Sequence, residues 1–338
     1  MGRAWRKTIG GKRFVVRDLP VIGDALARRE WNVFWYENPG WERHTVAKSP
    51  DLSVGGSLGD IDGDGMEELI VGQNDGNELY WFDPPKDPRE PWDRYQITDG
   101  FQKYHDTAVS DIDDDGFVEV IVLSQRSEVV GYFDVPGDPR ASPWPADHFH
   151  EIATGLNVEG VAVGDLDGDG KTELVAGPNV FSRNGTGWSR RSLGAWEWTR
   201  LALADLDGDG VDEIIMSEGD LPYQGDRNGR LGVVDTNSWT VDLLDDDLYC
   251  PHTLQVGDLT GSGSPDILVG EMGLDRNPSP HVYVYRNDGT GNFDRLTIAS
   301  GVATHEGKVV DLNGNGRLDL VSKAYGPSVH VDVWMHHA

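Results

Sequence analysis

Cysteine is almost missing from this chain. Cys250 is the only one in 338 residues, so no internal disulfide can form and cysteine usage reports no redox compartment. Long hydrophobic runs are missing too, and nothing approaches the roughly 18 apolar residues of a membrane span. The N-terminal stretch MGRAWRKTIGGKRFVV is basic but lacks the apolar centre of a secretion signal. The expectation is therefore no membrane span, with export after signal removal favoured over a cytoplasmic location. Positive charge is scarce as well: 29 Lys and Arg face 58 Asp and Glu, a net charge of -29. A surface this negative repels phosphate, which argues against nucleic acid as a partner. Arg outnumbers Lys and Asp outnumbers Glu, a composition that suits a surface adapted to high salt.

What the chain has instead is an acidic loop, repeated. In VGDLDGDGKTELVAG, residues 163 to 177, carboxylates stand at alternate positions (Asp165, Asp167, Asp169), a glycine follows for a sharp turn, and Glu173 closes the set. That is the oxygen-rich cage a calcium ion requires. The spacing recurs at Asp60, Asp62, Asp64 and Glu68, at Asp111, Asp113, Asp115 and Glu119, and at Asp205, Asp207, Asp209 and Glu213. Two worn copies follow, one of Asp258, Thr260, Ser262 and Asp266, the other of Asp311, Asn313, Asn315 and Asp319. With two carboxylates left, the copy at Asp258 is expected to be empty, whereas Asp311, Asn313, Asn315 and Asp319 are expected to serve as metal ligands. An EF-hand would need Glu at position twelve and flanking helices. Val71, Val122, Ala176 and Met216 stand there, inside apolar runs such as ELIVG and EVIVL, so these loops join strands.

The loops begin at 60, 111, 165, 205, 258 and 311, steps of about 40 to 54 residues, which is the period of a four-stranded propeller blade. The fold expected is all-β: a seven-bladed β-propeller with calcium-binding loops, a monomeric single domain over 1–338. Residues 1–50 form a degenerate blade and 51–338 six repeat blades. In the first repeat the strands fall at 53–60, 67–73, 78–83 and 93–98. The last repeat has three strands, and the N-terminal strand near Trp5 to Ile9 is expected to supply the fourth and close the propeller. Tyr80, Trp81, Tyr132, Phe133, Tyr283, Tyr285 and Trp334, on the middle strands, read as packing between blades.

Propeller geometry would put all acidic loops on one face and the long insertions at 217–230 and 270–280 on the other, where binding residues tend to be held. Six residues before each loop stand Val54, His105, Glu159, Thr199, His252 and His305, equivalent points at the mouth of the central channel. Three histidines and a glutamate at one register, from 10 His in all, point to a site, with Tyr104, Trp198, Asp106, Arg200, Thr253 and Glu306 adjacent. Such a group suits a transition metal, zinc or manganese, or acid–base work on a bound sugar. The plainer reading is that each histidine ties its strand to the next blade by a hydrogen bond. His44, His148, His150, His281, His330, His336 and His337 read as surface residues.

The loops resemble FG-GAP, or VCBS-type, repeats, the calcium-binding blades also found in integrin α-chain propellers. HTLQVGDLTGSGSPDILVGEMG (252–273) and THEGKVVDLNGNGRLDLVSKAYG (304–326) resemble the propeller of aldos-2-ulose dehydratase-like proteins and, more distantly, seven-bladed polysaccharide lyases. The resemblance implies a carbon-oxygen lyase acting by β-elimination or dehydration on a uronic-acid glycan or keto-sugar. In that reading Arg200 or a metal polarises the substrate, His105 removes the proton, and His252 or Tyr104 protonates the leaving oxygen. Glu159, His305 and Glu306 bind substrate or a second metal. The alternative is a calcium-stabilised propeller that holds a glycan or protein without changing it.

Overall fold

The computed structural model describes residues 8–9, 12–18, 32–48, 52, 54–274, 277–325 and 331–336. Among them every sheet is a set of sequence-consecutive antiparallel strands, as short turns between alternating runs dictate. The first sheet holds β1 (Thr8–Ile9), β2 (Lys12–Asp18), β3 (Asn32–Glu37) and β4 (Glu42–Lys48). The second holds β5 (Gly56–Gly59), β6 (Glu68–Gly72), β7 (Leu79–Asp83) and β8 (Asp93–Thr98), within a residue or three of the expected bounds. Next come β9 (Tyr104–Ser110), β10 (Glu119–Ser124), β11 (Val129–Asp134) and β12 (Phe149–Thr154), then β13 (Val161–Gly164), β14 (Glu173–Ala176), β15 (Asn179–Asn184) and β16 (Gly187–Ser192). The fifth and sixth are β17 (Thr199–Ala204), β18 (Glu213–Glu218), β19 (Gly229–Asp235), β20 (Thr240–Leu248) and β21 (Pro251–Gly257), β22 (Asp266–Glu271), β23 (His281–Asn287), β24 (Phe293–Ser300). The last has only β25 (Glu306–Val310), β26 (Asp319–Lys323) and β27 (Val331–Trp334).

These sheets are β-propeller blades, and the expected count is corrected: among the described residues six are complete with four strands and the remaining sheet has three. Among the described residues the expected closing strand does not pair with it. Thr8 and Ile9 pair instead with Arg13 and Lys12 of β2, a tight local hairpin. Trp5, His330 and His337 lie outside the described residues.

Burial explains the strand chemistry. The second strands, ELIVG, EVIVLS, EIIMSE and DILVGE, are buried at every position because both faces are covered, hence their unbroken apolar runs. The outer strands β16 and β24 are mostly exposed and read as mixed polar sequence. The chain divides into two compact units, one of residues 7–163 and 181–190, the other of 1–6, 164–180 and 191–338. In the first, Ile70, Leu79, Trp81 and Ile97 of one blade pack against Tyr104, Val120, Val122 and Phe133 of the next. A Cβ on Gly72 would collide with the Tyr104 Cβ, so glycine is what allows that approach. In the second, Ile215, Leu231 and Val233 meet Leu254, Ile267, Val269, Tyr283 and Tyr285. The aromatics expected to pack between blades do so: Tyr80, Trp81, Tyr132, Phe133, Tyr283 and Tyr285 are all buried, and Trp334 is packed partly buried against the last sheet pair. Among the described residues no helix is long and apolar enough to cross a membrane.

Trp81 is completely buried and its indole Nε1 donates to the Pro139 carbonyl at 3.2 Å. Trp81→Ala should lower unfolding free energy by about 3–5 kcal/mol in a denaturant titration, the usual cost of emptying an aromatic site.

Candidate functional site

The acidic loops share one construction. The first Asp accepts two backbone N–H groups across the turn: Asp60 from Gly63 (2.9 Å) and Gly65 (3.0 Å), Asp165 from Gly168 and Gly170, Asp205 from Gly208 and Gly210. The last acid reaches back to the residue after the first Asp, Glu68 to Ile61 N at 2.7 Å, Glu119 to Ile112 at 2.8 Å, Glu173 to Leu166 at 2.9 Å and Glu213 to Leu206 at 2.7 Å. Both worn loops keep this backbone: Asp311 accepts from Gly314 and Gly316 and Asp319 from Leu312, while Asp258 accepts from Ser262 and Gly263. In the Asp258 loop the Thr260 hydroxyl donates to Asp266, closing the loop on itself. The turn demands a left-handed residue at its fourth position, glycine at Gly63, Gly168 and Gly208 and Asp114 (φ 61°) in the second loop, a conformation aspartate tolerates.

These loops crowd carboxylates. One oxygen each from Asp60, Asp62, Asp64 and Glu68 lies within 4.8 Å of the others, as do those of Asp111, Asp113 and Asp115, and those of Asp165, Asp167 and Glu173, so each group could hold a metal ion. Burial, reinforced by the neighbouring aspartates against the pull of the backbone N–H, pushes Glu68 and Glu119 up to about 8 and Glu173 and Glu213 up to about 7. Glu68 Oε1 and Asp113 Oδ1 are buried with no hydrogen-bond partner among the described residues. Oxygen-only donors, orphaned buried oxygens and carboxyls that resist ionising fit a hard cation.

Asn313 and Asn315, expected among the metal ligands, occupy the positions of the second and third aspartates but bring no charge, so this loop offers a cation two carboxylates, Asp311 and Asp319, and two amide oxygens. Their side chains serve the turn itself. Asn313 Oδ1 accepts from Asn315 N at 2.9 Å, and Asn315 Oδ1 accepts from Arg317 N at 2.8 Å. Asn315 Nδ2 donates to the His336 carbonyl at 3.1 Å, a bond that an aspartate could not make. Asn313 and Asn315 thus keep the loop's shape while removing much of its demand for an ion.

The histidine register separates into two groups, each within one compact unit. On β17, β21 and the entry to β25, Arg200, His252, His305 and Glu306 come together. His252 Nδ1 donates to the His305 carbonyl at 2.6 Å. A carbonyl only accepts, so Nδ1 carries a hydrogen, and Arg200 can only donate, so the Nε2 that it contacts is the acceptor with a lone pair. That lone pair faces Arg200, whose Nε lies 3.1 Å away and whose Nη2 also contacts it. Glu306 Oε1 is 3.8 Å from Nδ1, and Asp220 Oδ1 is 3.9 Å from Nε2. The two imidazoles stack at 4.0 Å and 21°, and Tyr325 lies 4.9 Å beyond His305. Burial raises the Tyr325 phenol, with Tyr223 and Asp220 adding to it. Asp220, Tyr223 and Tyr325 were not singled out by spacing. The first two sit in the flagged insertion at 217–230 and the third in the quoted KAYG, but no regularity marks them.

The buried Glu218 holds that insertion in place. It accepts from Arg227 (2.5 and 2.6 Å), from Arg230 (2.8 and 2.9 Å) and from Glu197 N (3.1 Å), while Cys250 N donates to Leu221 O at 2.6 Å. A Cβ on Gly219 would lie 3.2 Å from His252 Cδ2 and 3.3 Å from Arg200 Cγ, so the segment starts pressed against the pair.

In the other unit His105 sits between two carboxylates, Nδ1 2.8 Å from Asp106 and Nε2 3.2 Å from Glu159. Glu159 is buried and also accepts from Gln125 Nε2 at 2.5 Å, and Asp106 accepts from Gly160 N at 2.9 Å. With both ring nitrogens on carboxylates, this group has the form of the interblade tie. Tyr104 is corrected as a proton donor: it is fully buried in the interblade core, its oxygen accepts from Phe101 N at 3.0 Å, and burial raises the phenol far above its ordinary value. Glu37, Glu42 and His44 also converge, but both Glu37 oxygens are engaged by Arg89, at 2.6 and 2.8 Å, which neutralises the charge a cation would need.

A pH test follows from Glu218. Burial raises its carboxyl, but Arg227 and Arg230 more than offset this and hold it at about 2, below its ordinary 4.5. The ionised form therefore contributes stability that is fully present above pH 4.5 and lost as pH falls through about 2. Denaturant melts of wild type and Glu218→Gln should differ most near neutrality, and the gap should narrow as pH drops below 4.5.

Two of the solved structures that the chain is similar to share its fold. An ancestral GH74 enzyme matches with a TM-score of 0.60 at 11% identity, over 96% of this chain and 46% of that one. A Bacteroides uniformis protein assigned as a 6-phosphogluconolactonase matches at 0.56 and 8% identity, over 95% of both chains. An exotype rhamnogalacturonan lyase matches more loosely, at 0.45 and 17% identity over 90% of this chain and 63% of that one. A search of curated proteins finds no match. The FG-GAP-like repeat model matches residues 60–122, 111–176 and 252–322, more than half of the sequence and the segments that carry five of the six acidic loops. The chain belongs to the FG-GAP-like repeat family.

Proposed function

We propose that the protein is a carbohydrate-active carbon-oxygen lyase whose site is built on Arg200, His252, His305, Glu306 and Asp220. The observation that carries this reading is the His252 imidazole, fixed as its Nδ1–H tautomer by the His305 carbonyl with its Nε2 lone pair beside a guanidinium. Elimination from a uronic acid or keto-sugar needs a base next to a positive charge. Arg200 would hold the substrate carboxylate or carbonyl and the charge that develops on it. His252 Nε2 would take the proton from the adjacent carbon as the carbon-oxygen bond breaks. The same imidazolium would return that proton to the leaving oxygen. The likeness in fold to a GH74 enzyme is consistent with a carbohydrate ligand.

A zinc or manganese ion is the less suitable occupant here. Donor atoms of His252, His305 and Glu306 do lie within 4.8 Å of one another. Yet imidazole lone pairs lie in the ring plane, and two rings stacked at 21° direct them nearly parallel rather than at one ion. Glu306 also sits on the Nδ1 side, whose hydrogen is already given to a carbonyl.

Calcium is the ion that the acidic loops would hold. Its ligands would be Asp60, Asp62 and Asp64 with Glu68, Asp111, Asp113 and Asp115 with Glu119, Asp165, Asp167 and Asp169 with Glu173, and Asp205, Asp207 and Asp209 with Glu213. Asp311, Asn313, Asn315 and Asp319 would hold it more weakly, with half the charge. The ion would relieve carboxylate repulsion and stabilise the blades, with no part in the chemistry. Adding calcium at about a hundred times its dissociation constant stabilises the fold by about 2.7 kcal/mol per site, so thermal melting should move up with calcium and down with chelator. A shift that follows ionic strength alone contradicts the assignment.

Elimination creates a conjugated double bond, so new ultraviolet absorbance on a panel of uronic-acid glycans and keto-sugars reads activity directly. His252→Ala and Arg200→Ala should each cost at least about a hundredfold in turnover, with the calcium-dependent melting unchanged. Binding without new absorbance would point to a module that holds the glycan intact.

A further inference from the structure

Beyond the reacting groups, the site continues in aromatic rings that elimination does not use. His252, His305 and Tyr325 follow one another at centroid spacings of 4.0 and 4.9 Å. Tyr325 is tilted 56° to His305 and partly exposed. Tyr223, 53% exposed, is one of the few large hydrophobic side chains left in solvent among the described residues. Its loop is held down by Glu218 and by the Cys250–Leu221 hydrogen bond, so the exposed ring stands on a fixed base. Asp220, three residues before it, puts a carboxylate oxygen 3.9 Å from His252 Nε2. Polar acceptors next to exposed aromatic faces suit a sugar ring, whose C–H face stacks on an aromatic while its hydroxyls hydrogen-bond outward.

We infer that Tyr325 and Tyr223, with Asp220, form a second sugar subsite next to Arg200 and His252, so that the ligand is an oligosaccharide of two or more residues rather than a free keto-sugar. The inference rests on the carbohydrate reading proposed above and narrows it. One sugar places its carboxylate on Arg200 and its carbon acid at His252, and its neighbour stacks on the tyrosines. Tyr325 and Tyr223 then set chain-length specificity and take no part in proton transfer.

The test is calorimetric binding of glucuronic, galacturonic and mannuronic acids and of the di- and trisaccharides of each, with calcium present. For wild type, at least one disaccharide should bind about three- to tenfold more tightly than its monosaccharide, the range expected for one aromatic contact. Tyr325→Ala should abolish that gain while leaving monosaccharide affinity and melting temperature in place, and Tyr325→Phe should restore it. Tyr223→Ala should reduce the same ratio and stands in should Tyr325→Ala fail to fold. Arg200→Ala should weaken all lengths together. Equal affinity for mono- and disaccharide in wild type, or an unchanged ratio in both tyrosine-to-alanine variants, overturns the subsite and leaves the lyase reading standing. Failure of wild type to bind any of these saccharides overturns both.

Discussion

Each repeat depends on one buried hydrogen bond, from the backbone N–H after the first loop aspartate to the carboxylate that opens the second strand. Glu68 to Ile61, Glu119 to Ile112, Glu173 to Leu166, Glu213 to Leu206 and Asp319 to Leu312 are the same contact at 2.7 to 2.9 Å. It fixes where the loop ends and the strand begins, and therefore the register in which Gly59 meets Glu68 and Ala204 meets Glu213. It also places a carboxylate in the core beside further acids, an arrangement that is unfavourable without a counter-charge. Strand register and cation demand thus come from one residue per repeat.

That economy explains why so much of the fold is legible in the sequence. Carboxylates at alternate positions followed by glycine and a closing acid mark the loop, and the apolar run after it can only be a strand covered on both faces. Even the eroded loop at Asp311 keeps the backbone, because Asn313 and Asn315 preserve the local acceptors when charge is lost. The spacing alone therefore marks the turn in that loop, while the ion it suggests depends on charges the two asparagines no longer carry. In the first blade Asn38-Pro39-Gly40 is a turn signal, and β3 and β4 do pair across it. Blade closure was not legible, because Thr8 and Ile9 carry no more information about a distant β27 than about a neighbouring β2, and the local hairpin costs less chain entropy.

The site was half legible for a related reason. Counting residues back from each loop locates equivalent points but does not say what the neighbours do. It put His105 and His252 on the same footing, although Asp106 and Glu159 occupy both nitrogens of one while a carbonyl and an arginine orient the other. It placed Tyr104 in reach of solvent, where Gly72 instead lets it sink into the core. Asp220, Tyr223 and Tyr325 escaped because they belong to irregular segments, and the course of the one that carries Asp220 and Tyr223 is set by Glu218 and its two arginines, nine and twelve residues away. A periodic sequence shows what is periodic, and these three side chains are not.

The account places substrate between an arginine and a histidine of fixed tautomer. A crystal structure of the His252→Ala protein, grown with calcium and soaked with a uronate disaccharide, tests that placement directly. The account predicts a sugar carboxylate paired with the Arg200 guanidinium, the adjacent ring carbon beside the space vacated by the imidazole, and the second sugar over Tyr325. A disaccharide seated instead on His105 and Glu159, or on an acidic loop, would contradict it.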